Sequence, residues 1–180
     1  MNKNLERVIE IPEGISCEFN NDILKCRKGD VEIVREVKAL GTQITAEANK
    51  ITFLCKKANK KSITLIKSQS AHVRNMFKGL SEKFKYELEV VYVHFPITVK
   101  KEGNGLVISN FLGEKVNRFA KIIDGVDVEV KGQNITVSCH DLEKAGQTSA
   151  NIEKATRISK RDRRIFQDGC FIVKKPRGEV

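Results

Sequence analysis

Ile51-Thr52-Phe53-Leu54-Cys55 and Ile135-Thr136-Val137-Ser138-Cys139 are nearly one segment written twice, 84 residues apart. The same shift lays Ile9-Glu10-Ile11-Pro12 over Val93-His94-Phe95-Pro96, Leu24 over Ile108 and Gly29 over Gly113. It also sets Ala71 over Ala155 and Leu88 over Ile172. One offset recurring along the chain implies two tandem copies of a single unit, divided near residues 82–92. A period this long exceeds that of solenoid repeats, so it predicts two small domains, 1–84 and 85–180.

Within each copy the apolar period begins near two and then lengthens. Ile9/Ile11, Ile23/Leu24, Val31/Ile33 and Ile51/Phe53/Cys55 lie in short segments broken by Gly and Asn, the pattern of antiparallel strands and turns. Between Asn59 and Phe84, Ile63, Ile66, Ser70, Val73, Phe77 and Leu80 recur at steps of three and four, one face of an amphipathic helix. Gly79 is expected to mark its fraying end. Tyr86 to Val90 resumes alternation as a returning strand, and the join between copies is expected to be strand-like and stiff. The second copy repeats the order: strands at Val107-Ile108, Val126/Val128/Val130 and Ile135/Val137, a helix over about Leu142 to Ile158, and a last strand at Phe171-Ile172-Val173. The expected class is α+β, with two tandem repeated domains, each a small antiparallel sheet packed with one helix.

Charge is distributed less evenly than apolar residues. The 180 residues carry 33 Lys and Arg against 23 Asp and Glu, for a net charge of +10. Residues 50–85 hold ten of those cations and one acid, and residues 154–177 hold nine and two, so the other 120 residues are net negative. Positive charge therefore gathers on the helix-bearing part of each copy. That suits a polyanionic partner gripped through its phosphates. Arg161-Asp162-Arg163-Arg164 is the sharpest element, because guanidinium groups grip phosphate bidentately. Asp162 and Asp168 are expected to hold neighbouring arginines in place. The Lys56, Lys57, Lys60 and Lys61 cluster fits solubility as well as it fits binding. Aromatic residues are only 6% and Trp is absent, which favours folded RNA read by shape and backbone over a base-stacking platform. An apolar fraction of 40% excludes a disordered basic tail.

Other classes find little support. No run is long and apolar enough to span a membrane, and Met1 to Arg7 contains no apolar signal core. Cys17, Cys26, Cys55, Cys139 and Cys170 are an odd number without a CxxC pair, arguing against a disulfide framework and a zinc finger, and free thiols suit a reducing cytosol. Cys139 and His140, adjacent on a strand, point to opposite faces and cannot act as nucleophile and base; Cys139 reads as a small core residue. His72 on a helix and His94 on a strand have no ligand spacing. Gly103-Asn104-Gly105 is a hairpin turn, and Asp124 and Asp127 flank Gly125 without a visible partner. No enzymatic activity, metal or cofactor is expected. A two-repeat DNA-bending protein is the alternative, but it requires matched apolar wedges, whereas the shift pairs Phe77 with Arg161 and Phe84 with Asp168.

Gly146-Gln147-Thr148-Ser149-Ala150-Asn151-Ile152-Glu153, then Arg164-Ile165-Phe166-Gln167-Asp168-Gly169-Cys170-Phe171-Ile172, resembles the signature of the ribosomal protein L-six family in its archaeal and eukaryotic branch. Ile11-Pro12-Glu13-Gly14 and Asn110-Phe111-Leu112-Gly113-Glu114-Lys115 match the same family, so the likeness covers nearly the whole chain. Ile158, Arg161, Arg164, Phe166, Asp168, Gly169, Ile172 and Lys175 stand where the family has them. Lys154 replaces a usual Gln, Cys170 an aliphatic residue and Phe171 a Tyr. The bacterial branch's Tyr-Lys-Gly-Lys-Gly ending is missing. The resemblance implies a structural component of the large ribosomal subunit in the cytoplasm. It further implies contact with rRNA near the sarcin–ricin region and stalk base, beside other large-subunit proteins and the docking place of translation GTPase factors. The expected rRNA contacts are Lys154, Arg157, Lys160, Arg161, Arg163, Arg164, Lys174, Lys175 and Arg177, with Phe166 and Phe171 expected to pack the second core.

Overall fold

The computed structural model describes residues 3–38, 41–47, 49–162, 164–176 and 178–179. The chain sorts into two units, Met1–Glu82 and Lys83–Val180. In the first unit the strands are β1 (Lys3–Glu10), β2 (Ser16–Asn20), β3 (Ile23–Lys28), β4 (Val31–Glu36), β5 (Thr42–Glu47) and β6 (Lys50–Ala58), followed by helix α1 (Lys60–Ser81). They form two antiparallel sheets, ordered β1-β6-β5 and β2-β3-β4, where a single small sheet per unit is the expectation from the sequence. The β2–β3 turn is tight because Asn21 and Asp22 both take left-handed backbone, φ 49° and 62°, which matches the twist of the strands it joins.

Period-two alternation turns Ile51, Phe53 and Cys55 of β6 inward, while Leu24 and Cys26 of β3 face the same core. Helix α1 covers them with Ile66, Val73 and Phe77, each burial contributing about 1.5–3 kcal/mol. Asn59 starts α1 by accepting from the Ser62 N–H at 2.8 Å. Gly79 does not end it. That residue is buried inside the last turn, and the helix runs on to Ser81 before Glu82 turns extended.

The second unit contains β7 (Phe84–Val91), β8 (Thr98–Glu102), β9 (Gly105–Ser109), β10 (Arg118–Lys121), β11 (Asp127–Lys131), β12 (Asn134–Cys139), α2 (Leu142–Ala155), β13 (Gly169–Lys175) and β14 (Gly178–Glu179). Phe84 thus opens the second unit rather than closing the first. The sheets are ordered β10-β9-β8 and β11-β12-β7-β13-β14. Leu88, Leu106, Ile108, Ile135, Val137, Ala145, Ile152 and Cys170 are buried in their core. Asp141 caps α2 by accepting from the Glu143 N–H at 2.9 Å.

The repeat is real, but its offset is not constant. Ile9 pairs with Ile51 and Leu88 pairs with Ile135, so Leu88, not Val93, is the counterpart of Ile9, a shift of 79. The β2–β3 and β8–β9 hairpins follow a shift of 82, Asn20 pairing with Ile23 as Glu102 pairs with Gly105. The third strand of each sheet follows 85, since Asp22 accepts from the Val37 N–H as Asn104 accepts from the Ile122 N–H. Leu24 therefore corresponds to Leu106 rather than Ile108. The β5–β6 hairpin and its counterpart β11–β12 keep the shift of 84: Ala46 pairs with Ile51 as Val130 pairs with Ile135, and Cys55 and Cys139 are buried at equivalent places. The helices return to 79, because Ser70 and Ser149 are both buried and bond back to the carbonyls of Ile66 and Ala145. Loops and the first turn of α1 differ in length between the copies, and these differences move the register. Leu88 and Ile172, aligned as equivalents from the sequence, are cross-strand partners in one sheet. Strand β13 adds to the side of β7 that, in its counterpart β1, is a sheet edge.

Candidate nucleic-acid interface

The segment from the end of α2 to the start of β13 carries most of the expected contacts. Lys154 is exposed in the last turn of α2, and Arg157, Lys160, Arg161 and Arg164 are exposed along the following loop. Arg163 and Arg177 lie outside the described residues. Lys174 and Lys175 are exposed at the far end of β13, away from the loop in sequence. Lys174 stands 3.9 Å from Glu87 on β7, so part of its charge is answered within the sheet.

What holds the loop is more informative than the cations themselves. Thr156 is buried; its Oγ1 accepts from the Cys170 N–H at 2.9 Å, tying the exit of α2 to the entry of β13. Gly169 permits this approach, since a Cβ there would lie 3.3 Å from Thr156 Oγ1 and 3.3 Å from the Phe171 ring. Arg118, on β10, donates through Nη1 to the carbonyls of Ala155 (3.0 Å) and Arg157 (3.2 Å), satisfying acceptors at the helix end. The same guanidinium grips Glu114 bidentately at 2.8 and 2.7 Å and lies 4.2 Å from the Phe111 ring centroid. Its bond to Glu114 holds that carboxyl below the usual range, with further help from the charge of Arg161. Sequence reasoning missed Arg118. It sits in a short strand with no basic neighbours within two residues, and only the fold brings it under the loop.

Lys160 has left-handed backbone (φ 59°), and Asp162 organises the turn beyond it. The Asp162 carbonyl accepts from the N–H groups of Ile165 and Phe166, while its carboxylate accepts from the Arg164 N–H at 3.0 Å and from the Arg164 guanidinium at 2.9 Å. These bonds draw the Asp162 carboxyl below its ordinary value, the Arg164 side chain being the main cause.

Asp168 does something different from what the sequence suggests. Instead of holding an arginine, it is fully buried and accepts from the backbone N–H groups of Val93 (3.2 Å) and His94 (3.1 Å) and contacts His94 Nδ1 at 2.9 Å. Burial alone would raise its carboxyl; the bonds from His94 and Val93 outweigh that and hold it below the ordinary value. His94 belongs to the loop after β7, not to a strand. Its ring stacks on Phe166 at 4.9 Å between centroids, and the Arg161 guanidinium lies 4.8 Å from the Phe166 centroid on the same ring. Phe166 and Phe171 are half-buried and do not join the second core, contrary to expectation. They line a cleft of about 660 Å³ together with Glu153, Lys154, Arg157 and Ile158.

The signature residues on α2 are structural. Thr148 accepts from the Ile123 N–H at 3.3 Å, and Asn151 donates to the Lys121 carbonyl at 3.1 Å. Gly146 leaves room for Tyr86, whose hydroxyl would lie 3.0 Å from a Cβ. Asp124 and Asp127, without evident partners in the sequence, bond to Asn104 at 3.0 Å and Lys83 at 2.7 Å. Cys139 donates to the Gly125 carbonyl at 3.2 Å. Among the described residues, no three metal-ligating side chains cluster, and no helix is long and apolar enough to cross a membrane. The most exposed phenylalanines, Phe95 and Phe119, both lie in the second unit, so they are not matched wedges.

Comparison with known proteins gives a consistent result. Residues 95–169 match the family described as Ribosomal protein L6. The chain is 42% identical over 176 residues to large ribosomal subunit protein uL6 of Archaeoglobus fulgidus, covering 95% of this chain and 90% of that protein. It is 42% identical over 167 residues to uL6 of Methanococcus vannielii (93% and 92% covered) and 41% identical over 172 residues to uL6 of Saccharolobus solfataricus (95% of each). A likeness of this extent, carried by both units, places the chain in the L6 family of ribosomal proteins.

Proposed function

We propose that the chain binds large-subunit rRNA through the α2–β13 segment of its second unit, near the sarcin–ricin region and stalk base. It is a structural ribosomal protein, not an enzyme. Lys154, Arg157, Lys160, Arg161, Arg163 and Arg164 are the main phosphate contacts, with Lys174 and Lys175 contributing from the end of β13, and Arg177 adding a further cation. The observation that carries this reading is the exposed cationic loop, anchored on one side by Arg118 and on the other by Thr156 and Asp168. A held loop loses little conformational freedom on binding, so its charges act at low entropic cost. Each phosphate neutralised releases condensed counterions, which makes the contact strong and salt-sensitive. Neighbouring large-subunit proteins and the translation GTPase factors would meet the complex rather than the isolated chain, in the cytoplasm.

Hydroxyl-radical footprinting of large-subunit rRNA with the full chain tests the placement. Protection confined to the sarcin–ricin region and stalk base supports it; protection elsewhere, or none, overturns it.

A further inference from the structure

The first unit brings together two thiols that the sequence separates. Cys17 on β2 and Cys26 on β3 are directly opposite in the antiparallel register, and their Sγ atoms are 2.7 Å apart. Parity fixes the kind of pair. The two-residue turn at Asn21-Asp22 closes on Asn20 and Ile23 as a hydrogen-bonded pair, and the alternation then makes Cys17 and Cys26 a non-hydrogen-bonded one. Counting back from the next turn, where Lys28 pairs with Val31, gives the same answer: the Cys26 peptide groups face β4. Opposed residues of that kind have Cα atoms about 4.5 Å apart, within the span a disulfide bridges without backbone movement.

We propose that Cys17 and Cys26 form a redox modification site, at which a small-molecule disulfide oxidises the two thiols to a cross-strand disulfide. Access sets the order of events. Cys17 is half-buried and can be reached from solvent, whereas Cys26 has no exposed surface. Contact with Cys26 also lowers the Cys17 thiol against the opposing effect of burial, while contact with Cys17 and burial both raise Cys26. The Cys17 thiolate attacks one sulfur of the oxidant, forming a mixed disulfide and expelling one thiolate. Cys26 then attacks Cys17 Sγ, closing the protein disulfide and expelling the second. The protein loses two electrons and two protons, and the oxidant leaves as two thiols. Cys55, Cys139 and Cys170 are buried singly, with no cysteine partner among the described residues, and remain thiols.

The test uses the full chain, reduced and then exposed to oxidised glutathione. It is unfolded in the presence of an alkylating reagent and its peptides are mapped by mass spectrometry. The expected product has three alkylated cysteines and one disulfide, joining the peptides of Cys17 and Cys26. Cys26→Ser should instead accumulate glutathione on Cys17, and Cys17→Ser should resist the reagent. Five alkylatable thiols after exposure, a stable glutathione adduct on the unmutated chain, or a disulfide between other cysteines or between molecules would each overturn the proposal.

Discussion

The carboxylate of Asp168, with no exposed surface, meets Nδ1 of His94 at 2.9 Å across 74 residues of chain. This contact ends a stack that begins at the surface: the Arg161 guanidinium rests on Phe166, Phe166 on His94, and His94 on the buried acid. A cation proposed to hold phosphate is therefore positioned by an anion it never touches. The anion's own charge is compensated by two backbone N–H groups and the imidazole, which is how a buried carboxylate is tolerated.

Asp168→Asn should destabilise the second unit by about 1–3 kcal/mol, the cost of weakening charged hydrogen bonds in a buried place. The sign with pH follows from the lowered carboxyl. Its folded value lies below its unfolded one, so its contribution is present above the unfolded value of about 3.9 and disappears as pH falls through the folded value. Thermal melts across this acid range should show the stability gap between wild type and Asp168→Asn closing as pH drops. A gap that stays constant to strong acid would refute the assignment.

Arg118→Lys keeps the charge yet should loosen the loop between α2 and β13. An ammonium cannot grip Glu114 bidentately while also reaching the carbonyls of Ala155 and Arg157. Hydrogen exchange should speed up over residues 155–162, with a stability loss of about 1–3 kcal/mol. Unchanged exchange there would show that Arg118 does not hold the loop.

Ser70 and Ser149 should behave alike despite lying in different units. Both are buried, and each bonds to a carbonyl four residues back, so Ala at either place should cost no more than about 1 kcal/mol. Val should cost about 1–3 kcal/mol at both through overpacking. Chemical denaturation of the four variants checks this, and opposite outcomes at the two positions would break the equivalence.

The sequence reveals the repeat where both copies obey the strongest constraint, an interior strand paired on both sides. Ile51, Phe53, Ile135 and Val137 are without solvent exposure, so their types are tightly restricted and the likeness persists. It misleads where insertions fall in loops, because nothing in a chance match such as Leu24 over Ile108 reveals that the register has moved. Strand pairing alone shows that Leu88 and Ile172 are neighbours. The cationic segment is visible as composition, and the Asp162–Arg164 pair as proximity along the chain. Arg118, His94 and Asp168 are not legible as supports, since each acts on residues 37 to 75 positions away and only the fold makes them adjacent. The Cys17–Cys26 pair escapes for a related reason: the cysteine count and the absence of CxxC ignore a hairpin that sets two strand residues face to face.

The most direct test of the rRNA-binding account is a salt series of equilibrium binding to large-subunit rRNA. It compares the wild-type chain with one carrying Arg161, Arg163 and Arg164 all changed to Ala, with circular dichroism confirming that both are folded. The account predicts weaker binding and a shallower dependence of log affinity on log salt, by about 0.7–0.9 for each phosphate that the variant no longer neutralises. Equal affinity and equal slope at physiological salt would contradict it.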